Sequence, residues 1–257
     1  MAKRPIRLSQ DDHAVALGDV YGQDYFRRHG YLPTVDATEA VIQCLVGKPQ
    51  PWLPLVAQPI EIVSTSGADA LGGLGAQVVC VHGLDANWNE QQEQVSMLGT
   101  TPVETTLSFL RVDYILVIEV GTYRGSNIGN ITASESESPA DTVIRMLAGN
   151  GLCQSTHYSV PAGHTLLVHE YGVSSDASKI MTVKMYVATG SDTTVPYVGA
   201  RTAQLILEAS GSISGESGFT VPFPVPEYTD LWATARITTG TGAVSFAYSG
   251  ILQQLQP

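Results

Sequence analysis

Lys179-Ile-Met-Thr-Val-Lys-Met-Tyr-Val-Ala188 is the stretch that decides the fold, because it alternates with the two-residue period of a β-strand along its length. The even-numbered side chains from Ile180 to Tyr186 would face one side of a sheet. The odd-numbered ones, from Met181 to Val187, would face the other. This stretch is the clearest strand in the chain, and it points to a β-protein.

Shorter β-prone runs lie on both sides of this stretch, separated by clusters of Gly, Asn, Asp and Ser. Such runs at regular spacing are typical of a sandwich or barrel. Pro222, Pro224 and Pro226 cannot sit in a central strand, so we expect them at an edge or at a crossing between sheets. We therefore predict an all-β protein with two β-sandwich or jelly-roll-like domains, at residues 58–138 and 139–257, divided near the polar segment that ends at Pro139.

Residues 1–57 differ from the rest, because they are relatively basic and end in a proline-rich segment, Lys48-Pro-Gln-Pro-Trp-Leu-Pro54. Prolines this dense favour an extended path. We predict an extended N-terminal arm followed by a linker, and a segment that wraps its own domain is the open alternative. The arm and linker supply five candidate partner-binding residues: Arg4, Arg7, Arg27, Arg28 and Trp52.

Composition narrows the function classes. The chain of 257 residues carries a net charge of −11, whereas nucleic-acid binders need excess Lys and Arg to displace counterions from phosphates. No apolar run reaches the roughly 18 residues of a membrane span, and the basic N-terminus lacks the apolar core of a secretory signal. We expect neither nucleic acid nor membrane as partner. Only 14% of residues are charged, which is compatible with surface covered by neighbouring subunits.

No pattern of reactive residues predicts catalysis, a metal or a cofactor. The three cysteines are far apart and lack CxxC spacing, and the chain has no Gly-x-Ser-x-Gly motif. His157, His164 and His169 are interpreted as ordinary sheet residues. The segment Gly83–Glu90 is interpreted as a hairpin loop rather than a calcium loop. We expect a non-enzymatic protein with no metal site.

Trp88 is the sixth candidate partner-binding residue, because it lies at the predicted tip of this hairpin among polar residues. An apolar ring there has three interpretations, which stay open. It caps its own domain, packs on a neighbouring subunit, or stacks on a sugar.

The turns and strand edges resemble those of a type of virion structural protein from tailed bacteriophages, found in aquatic phages. The resemblance covers about residues 58–252 and leaves the arm outside. Its matching residues are Ser64-Thr-Ser66 with Asp69, Gly75-Ala76, Gly83-Leu-Asp85 with Glu93, Gly99-Thr-Thr-Pro-Val103, Phe109-Leu-Arg-Val112, Val160-Pro-Ala-Gly163 and Asp230-Leu231.

The resemblance implies a structural subunit of a virion, assembled in the host cytoplasm as capsid decoration or as a head–tail, tail or fibre component. Its expected partners are copies of itself and other virion proteins of the capsid, portal, tail or fibre. The competing expectation is a receptor- or carbohydrate-binding β-sandwich module of a phage fibre or spike.

Overall fold

The computed structural model describes residues 14–43, 51, 54–122, 125–138, 141–176, 180–189, 202–210 and 213–255. Among them only residues 14–16 are helical, and no helix has the length and apolar character that a membrane span needs. The strands are β1 (Gln23–Val35), β2 (Ala40–Val41), β3 (Ile60–Ser64), β4 (Ala76–Leu84), β5 (Glu90–Ser96), β6 (Val103–Glu104), β7 (Arg111–Val120), β8 (Ile131–Glu135), β9 (Thr142–Met146), β10 (Tyr158–Val160), β11 (His164–Ser175), β12 (Ile180–Thr189), β13 (Thr202–Ser210), β14 (Ile213–Val225), β15 (Thr229–Ile237) and β16 (Gly242–Gln254).

These strands form four antiparallel sheets, so the predicted all-β class is confirmed. Sheet A has the order β1-β16-β11-β14, and sheet B has the order β10-β15-β12-β13 with β2 paired to β15. Sheet C has the order β6-β3-β8-β9, and sheet D has the order β5-β4-β7. We call sheets A and B the terminal pair, since both ends of the chain contribute to them, and sheets C and D the central pair.

Each pair of sheets shares its own buried cluster. In the terminal pair, Phe246 and Val168 of sheet A belong to the same cluster as Val183 and Leu231 of sheet B. The central pair has a separate cluster with members from both of its sheets. Alternation along each strand produces this arrangement, because every second side chain points to the same face.

Two sequence predictions about strands are confirmed. In β12, Met181, Val183 and Met185 are buried in the terminal core, as the alternation predicts. The proline run lies at the end of β14, which is an edge strand of sheet A and so has one side without ladder hydrogen bonds.

The N-terminal region differs from the predicted arm over residues 23–41. There, β1 pairs along β16, and Phe26, Leu32 and Val35 are buried in the terminal core. Charged and β-breaking residues within β1 hide this apolar alternation in the sequence. The structure therefore favours the alternative in which this segment wraps its own domain. Arg4, Arg7 and Trp52 lie outside the described residues.

Strand pairing also divides the chain differently from the predicted ranges. Strand β9 lies beyond the predicted boundary at 138/139, yet it pairs with β8 in sheet C. The polar segment before Pro139 therefore begins within β8, at Ser134 and Glu135, and continues into the connection to β9. The ranges stay a prediction about independently folding units.

Removal of a core side chain from β1 tests whether this strand belongs to the folded body. Leu32 is fully buried, so Leu32→Ala should lower the free energy of unfolding by about 2–5 kcal/mol. The neighbouring Thr34→Ala is a matched control, because Thr34 is exposed on the same strand. Urea denaturation of both variants measures the difference. Equal stabilities would contradict the placement of β1.

Candidate functional site

A buried ion pair joins the terminal and central pairs. Arg111 is the first residue of β7 in sheet D, and Asp230 lies in β15 of sheet B. Arg111 Nε lies 3.0 Å from Asp230 Oδ1, and Nη2 lies 3.1 Å from Oδ2, so two parallel hydrogen bonds form. Arg111 Nη1 also donates to the carbonyl oxygens of Pro54 and Leu110. Such a bidentate geometry is the strongest that an arginine and a carboxylate make.

The pair is ionised although it is removed from water. Burial by itself would raise the pKa of Asp230. The Arg111 guanidinium and the hydrogen bonds from His157 and Arg111 outweigh burial, and the pKa lies well below its ordinary value. Loss of either partner would leave an uncompensated buried charge, which makes this contact a strong determinant of how the two pairs sit together.

Ser159, His157 and Asp230 come together here, but their geometry is not that of a nucleophilic triad. His157 Nε2 is the atom nearest both partners, at 3.2 Å from Ser159 Oγ and 3.5 Å from Asp230 Oδ1. Ser159 Oγ donates directly to Asp230 Oδ1 rather than to the imidazole. A triad needs the two ring nitrogens to face different partners and the hydroxyl to reach substrate. All three residues are buried, so we assign them to the network around the ion pair.

Trp88 packs at the same junction. Asp85 accepts hydrogen bonds from the backbone N–H groups of Asn87 and Asn89, which confirms the predicted hairpin loop between β4 and β5. The Trp88 ring is 8% exposed, with the Arg111 guanidinium carbon 4.9 Å from its centroid and Tyr228 at its edge. The ring is therefore held by contacts within the chain.

Backbone conformation at this contact is unusual on both sides. Trp88 has φ 63° and Tyr228 has φ 58°, and they are the non-glycine residues with positive φ in the described part of the chain. This region costs free energy for residues with a β-carbon, so it persists only where surrounding contacts favour it. Here the two strained residues contact each other across the junction.

A cleft opens beside this junction. Two cavities, of about 410 Å³ and about 370 Å³, share the lining residues Arg28, Asp113 and Tyr114. Arg28 comes from β1 of the terminal pair, and the other two come from β7 of the central pair. Clefts between structural units are common positions for ligand sites.

Aromatic rings hold the Arg28 guanidinium in the cleft. Its central carbon lies 4.8 Å from the Tyr114 ring centroid, 5.0 Å from Tyr158 and 5.5 Å from Phe26. The His82 ring stacks on Tyr114 at 4.2 Å. These contacts orient the guanidinium without using its N–H groups, because a cation interacts with the face of a ring.

Asp113 is the second buried carboxyl group in this region. Its Oδ1 accepts a hydrogen bond from the backbone N–H of Ser159, so it too links the central pair to the terminal pair. Burial raises its pKa, and the nearby Arg28 guanidinium opposes this only in part. The pKa values of Asp113 and Asp230 therefore shift in opposite directions, since Asp230 has a guanidinium in direct contact and Asp113 does not.

Of the six predicted partner-binding residues, the structure describes Arg27, Arg28 and Trp88. Arg28 lines both cavities of the cleft, and its exposed neighbour Arg27 lines one of them as well as depressions on sheet A. Trp88 is buried at the junction. Sequence reasoning missed Arg111, Asp113 and Asp230 as a connected set. The one available signal was that charged residues interrupt otherwise apolar strands.

Comparisons with known proteins add little. No protein-family model matches the chain, and no curated protein matches it. A crystal structure of the infectious bursal disease virus VP2 subviral particle aligns over 91% of this chain and 77% of that chain, at 9% identity and a TM-score of 0.17. The structure of the Gt strain of the same virus aligns over 91% and 80%, at 10% identity and a TM-score of 0.14. Likenesses at these TM-scores carry no argument about fold or function.

The two buried carboxyl groups should change stability with pH in opposite directions. The pKa of Asp230 is lowered in the fold. The ionised carboxylate therefore contributes fully to the free energy of unfolding above the ordinary carboxyl pKa, and this contribution is lost as the pH falls toward the pKa of the folded state. The pKa of Asp113 is raised in the fold, so its ionisation destabilises the protein as the pH rises above the ordinary carboxyl pKa.

Asp230→Asn should therefore lower the free energy of unfolding by about 3–5 kcal/mol at neutral pH and by less in acid. Asp113→Asn keeps an oxygen for the Ser159 N–H, and its stability relative to the native chain should improve as the pH rises. Urea denaturation of all three proteins from acid to neutral pH measures both trends. Parallel pH profiles for the two variants would contradict the assignment.

Proposed function

We propose that this protein is a non-enzymatic structural subunit of a bacteriophage virion, which assembles with copies of itself and docks on capsid or tail proteins. In this proposal the terminal and central pairs are two β-sandwich or jelly-roll-like bodies. The sequence resemblance to phage virion proteins supports it. The structural observation that carries it is an exposed, uncharged apolar surface at one end of the central pair.

This surface, which we call the leucine end, consists of Leu71, Leu74 and Leu98. Their side chains are 65%, 56% and 55% exposed. Backbone hydrogen bonds hold the segments together, since the N–H of Leu71 donates to the carbonyl of Met97 and Ala70 forms a β-bridge with Leu98. Exposed apolar groups gathered in one place are typical of interaction surfaces.

Asp69 holds the leucine end in shape. Its buried carboxylate accepts hydrogen bonds from Ser64 Oγ and from the backbone N–H groups of Ala76, Ile128 and Gly129. A β-carbon on Gly75 would lie 2.1 Å from Asp69 Oδ1, so the close approach of the carboxylate requires glycine there. The loop therefore presents its leucines in an ordered arrangement, which lowers the entropic cost of binding.

Charge favours a second copy of the chain as the partner at this end. Residues 64–75 and 97–103 contain no charged side chain except the buried Asp69. With a net charge of −11, two copies repel each other over most of their surfaces. An uncharged apolar end is where copies meet with little repulsion and with the largest gain from burial.

The competing proposal, a receptor- or carbohydrate-binding module, would be favoured by exposed Trp88 and Tyr side chains at one end of the sandwich. Because the Trp88 ring is engaged at the junction, Trp88 no longer supports the competing proposal. The assembly proposal is therefore preferred.

Replacing the three leucines together tests the assembly proposal. Leu71→Ser, Leu74→Ser and Leu98→Ser in one chain should convert an oligomer into a monomer in light scattering over a range of concentrations. Substitutions of exposed side chains usually change stability by about 0.5 kcal/mol or less, so the variant should remain folded. Val221→Ser is the control, because Val221 is an exposed apolar residue on β14, in the terminal pair. An unchanged mass in the triple variant, or an equal loss in the control, would refute the role of the leucine end.

Docking through the N-terminal region has a separate test. Deletion of residues 1–13 removes Arg4 and Arg7 but leaves β1 intact, whereas deletion of residues 1–57 also removes buried core residues of β1. The shorter deletion should leave the urea midpoint unchanged and abolish incorporation into particles. Unchanged incorporation would show that these residues do not dock the subunit.

A further inference from the structure

Arg28 lines the cleft and has a guanidinium nitrogen that makes no hydrogen bond to the described residues. Its Nε is buried and has no hydrogen-bond partner among the residues that the structure describes. A buried polar group without a partner costs free energy. Because Nε is out of reach from the cavity, a ligand would have to pair with the other N–H groups of the guanidinium. The ring contacts already orient the guanidinium, so a ligand need not order it.

A guanidinium offers a planar fork of N–H donors that matches an oxyanion such as a carboxylate. Tyr158 lies beside it, and burial raises the pKa of its phenol well above the ordinary value, so the hydroxyl keeps its proton as a donor. Asp113, whose pKa is raised, also lines both cavities. The Arg28 guanidinium and the Tyr158 hydroxyl thus place donors at the centre of the cleft.

The rest of the lining combines planar amide and imidazole side chains with the charged Arg27 and Glu90 and the apolar Leu152. The amide and imidazole residues are His82, Gln91, Gln92, His29, Asn150 and Gln154. Planar groups that donate and accept hydrogen bonds suit the many hydroxyl groups of a sugar.

We propose that this cleft binds an acidic saccharide, with Arg28 pairing to the carboxylate of a uronic-acid-type residue. Amide and imidazole groups on either side contact the hydroxyls of the same and neighbouring sugar units. The combined cleft is large enough for more than one sugar unit, since each cavity falls within the range of about 300–1,000 Å³ that is usual for ligand sites. This site does not involve Trp88 or the leucine end, so it stands apart from the assembly proposal.

The lining favours a saccharide over a simple anion. An inorganic ion or acetate would satisfy Arg28 but would leave the amides of both cavities without contacts. A strongly charged polyanion is disfavoured, because the carboxylate-bearing Glu90 lines the same cavity as Arg28. A ligand with one carboxylate per unit and several neutral hydroxyls matches this mixture.

Calorimetric titration of the whole protein with a glucuronic acid oligosaccharide tests the proposal. We expect saturable binding that weakens at high salt, because one ion pair contributes. A neutral glucose oligosaccharide of equal length and sodium acetate are the parallel probes, and both should bind at least roughly tenfold more weakly. Absence of binding by the acidic oligosaccharide would overturn the proposal. Equal binding of the neutral glucose oligosaccharide would also overturn it. Equal binding of acetate would overturn the saccharide assignment and show a simple anion site.

Variants locate the binding. Arg28→Gln should reduce affinity for the acidic oligosaccharide by roughly tenfold or more, the value of a lost charge-assisted hydrogen bond. Arg236→Gln removes the same charge from an exposed position on β15 and should leave affinity unchanged. If Arg28→Gln does not fold, Arg28→Met and Tyr158→Phe replace it, because they remove the charge or the hydroxyl while keeping much of the size of the side chain. Unchanged affinity in the folded variants would show that the saccharide binds elsewhere.

Discussion

The ion pair between Arg111 and Asp230 is the interaction on which the arrangement of this protein depends. The terminal and central pairs have separate main cores, and only a small apolar cluster of Leu84, Trp88 and Leu110 with Ala57 and Ala162 packs at their junction in the described part of the chain. Two opposite charges removed from water require each other, and their bidentate geometry defines both distance and angle. The ion pair thus joins the terminal and central pairs at a defined junction.

That junction creates the other features of interest. With Arg111 held against Asp230, Trp88 is enclosed between the guanidinium and Tyr228, in a backbone conformation that needs support from its surroundings. Beside Trp88, residues of β1 and β7 line the two walls of the cleft. Arg28 occupies that cleft, oriented by rings from both pairs of sheets.

The distribution of charge also has a physical logic. The chain has few charged residues, and three of them, Arg111, Asp113 and Asp230, are buried at the junction. The leucine end has its single carboxylate, Asp69, turned inward to hold a loop. Because the protein is acidic elsewhere, an end without exposed charge is a surface at which two copies repel each other little.

Local features were predictable from the sequence. Alternation identified β12. The spacing of the prolines predicted an edge or a crossing between sheets, and the structure places the run in the edge strand β14. Clustered Asp and Asn identified the hairpin after β4. Strand β1 was missed because Arg27, Arg28, Gly30 and Pro33 interrupt its apolar pattern, and burial of Phe26 and Leu32 in the completed core outweighs those local preferences.

The sequence by itself determined the β-class, most strands and turns, and an acidic chain poor in charge, since periodicity and composition are local or additive properties. Only the tertiary structure decided that Arg111 meets a carboxylate 119 residues away. It also decided that Arg28 enters a cleft and that Trp88 is enclosed. These outcomes depend on how sheets pack, and no spacing along one strand records which distant strand will lie opposite.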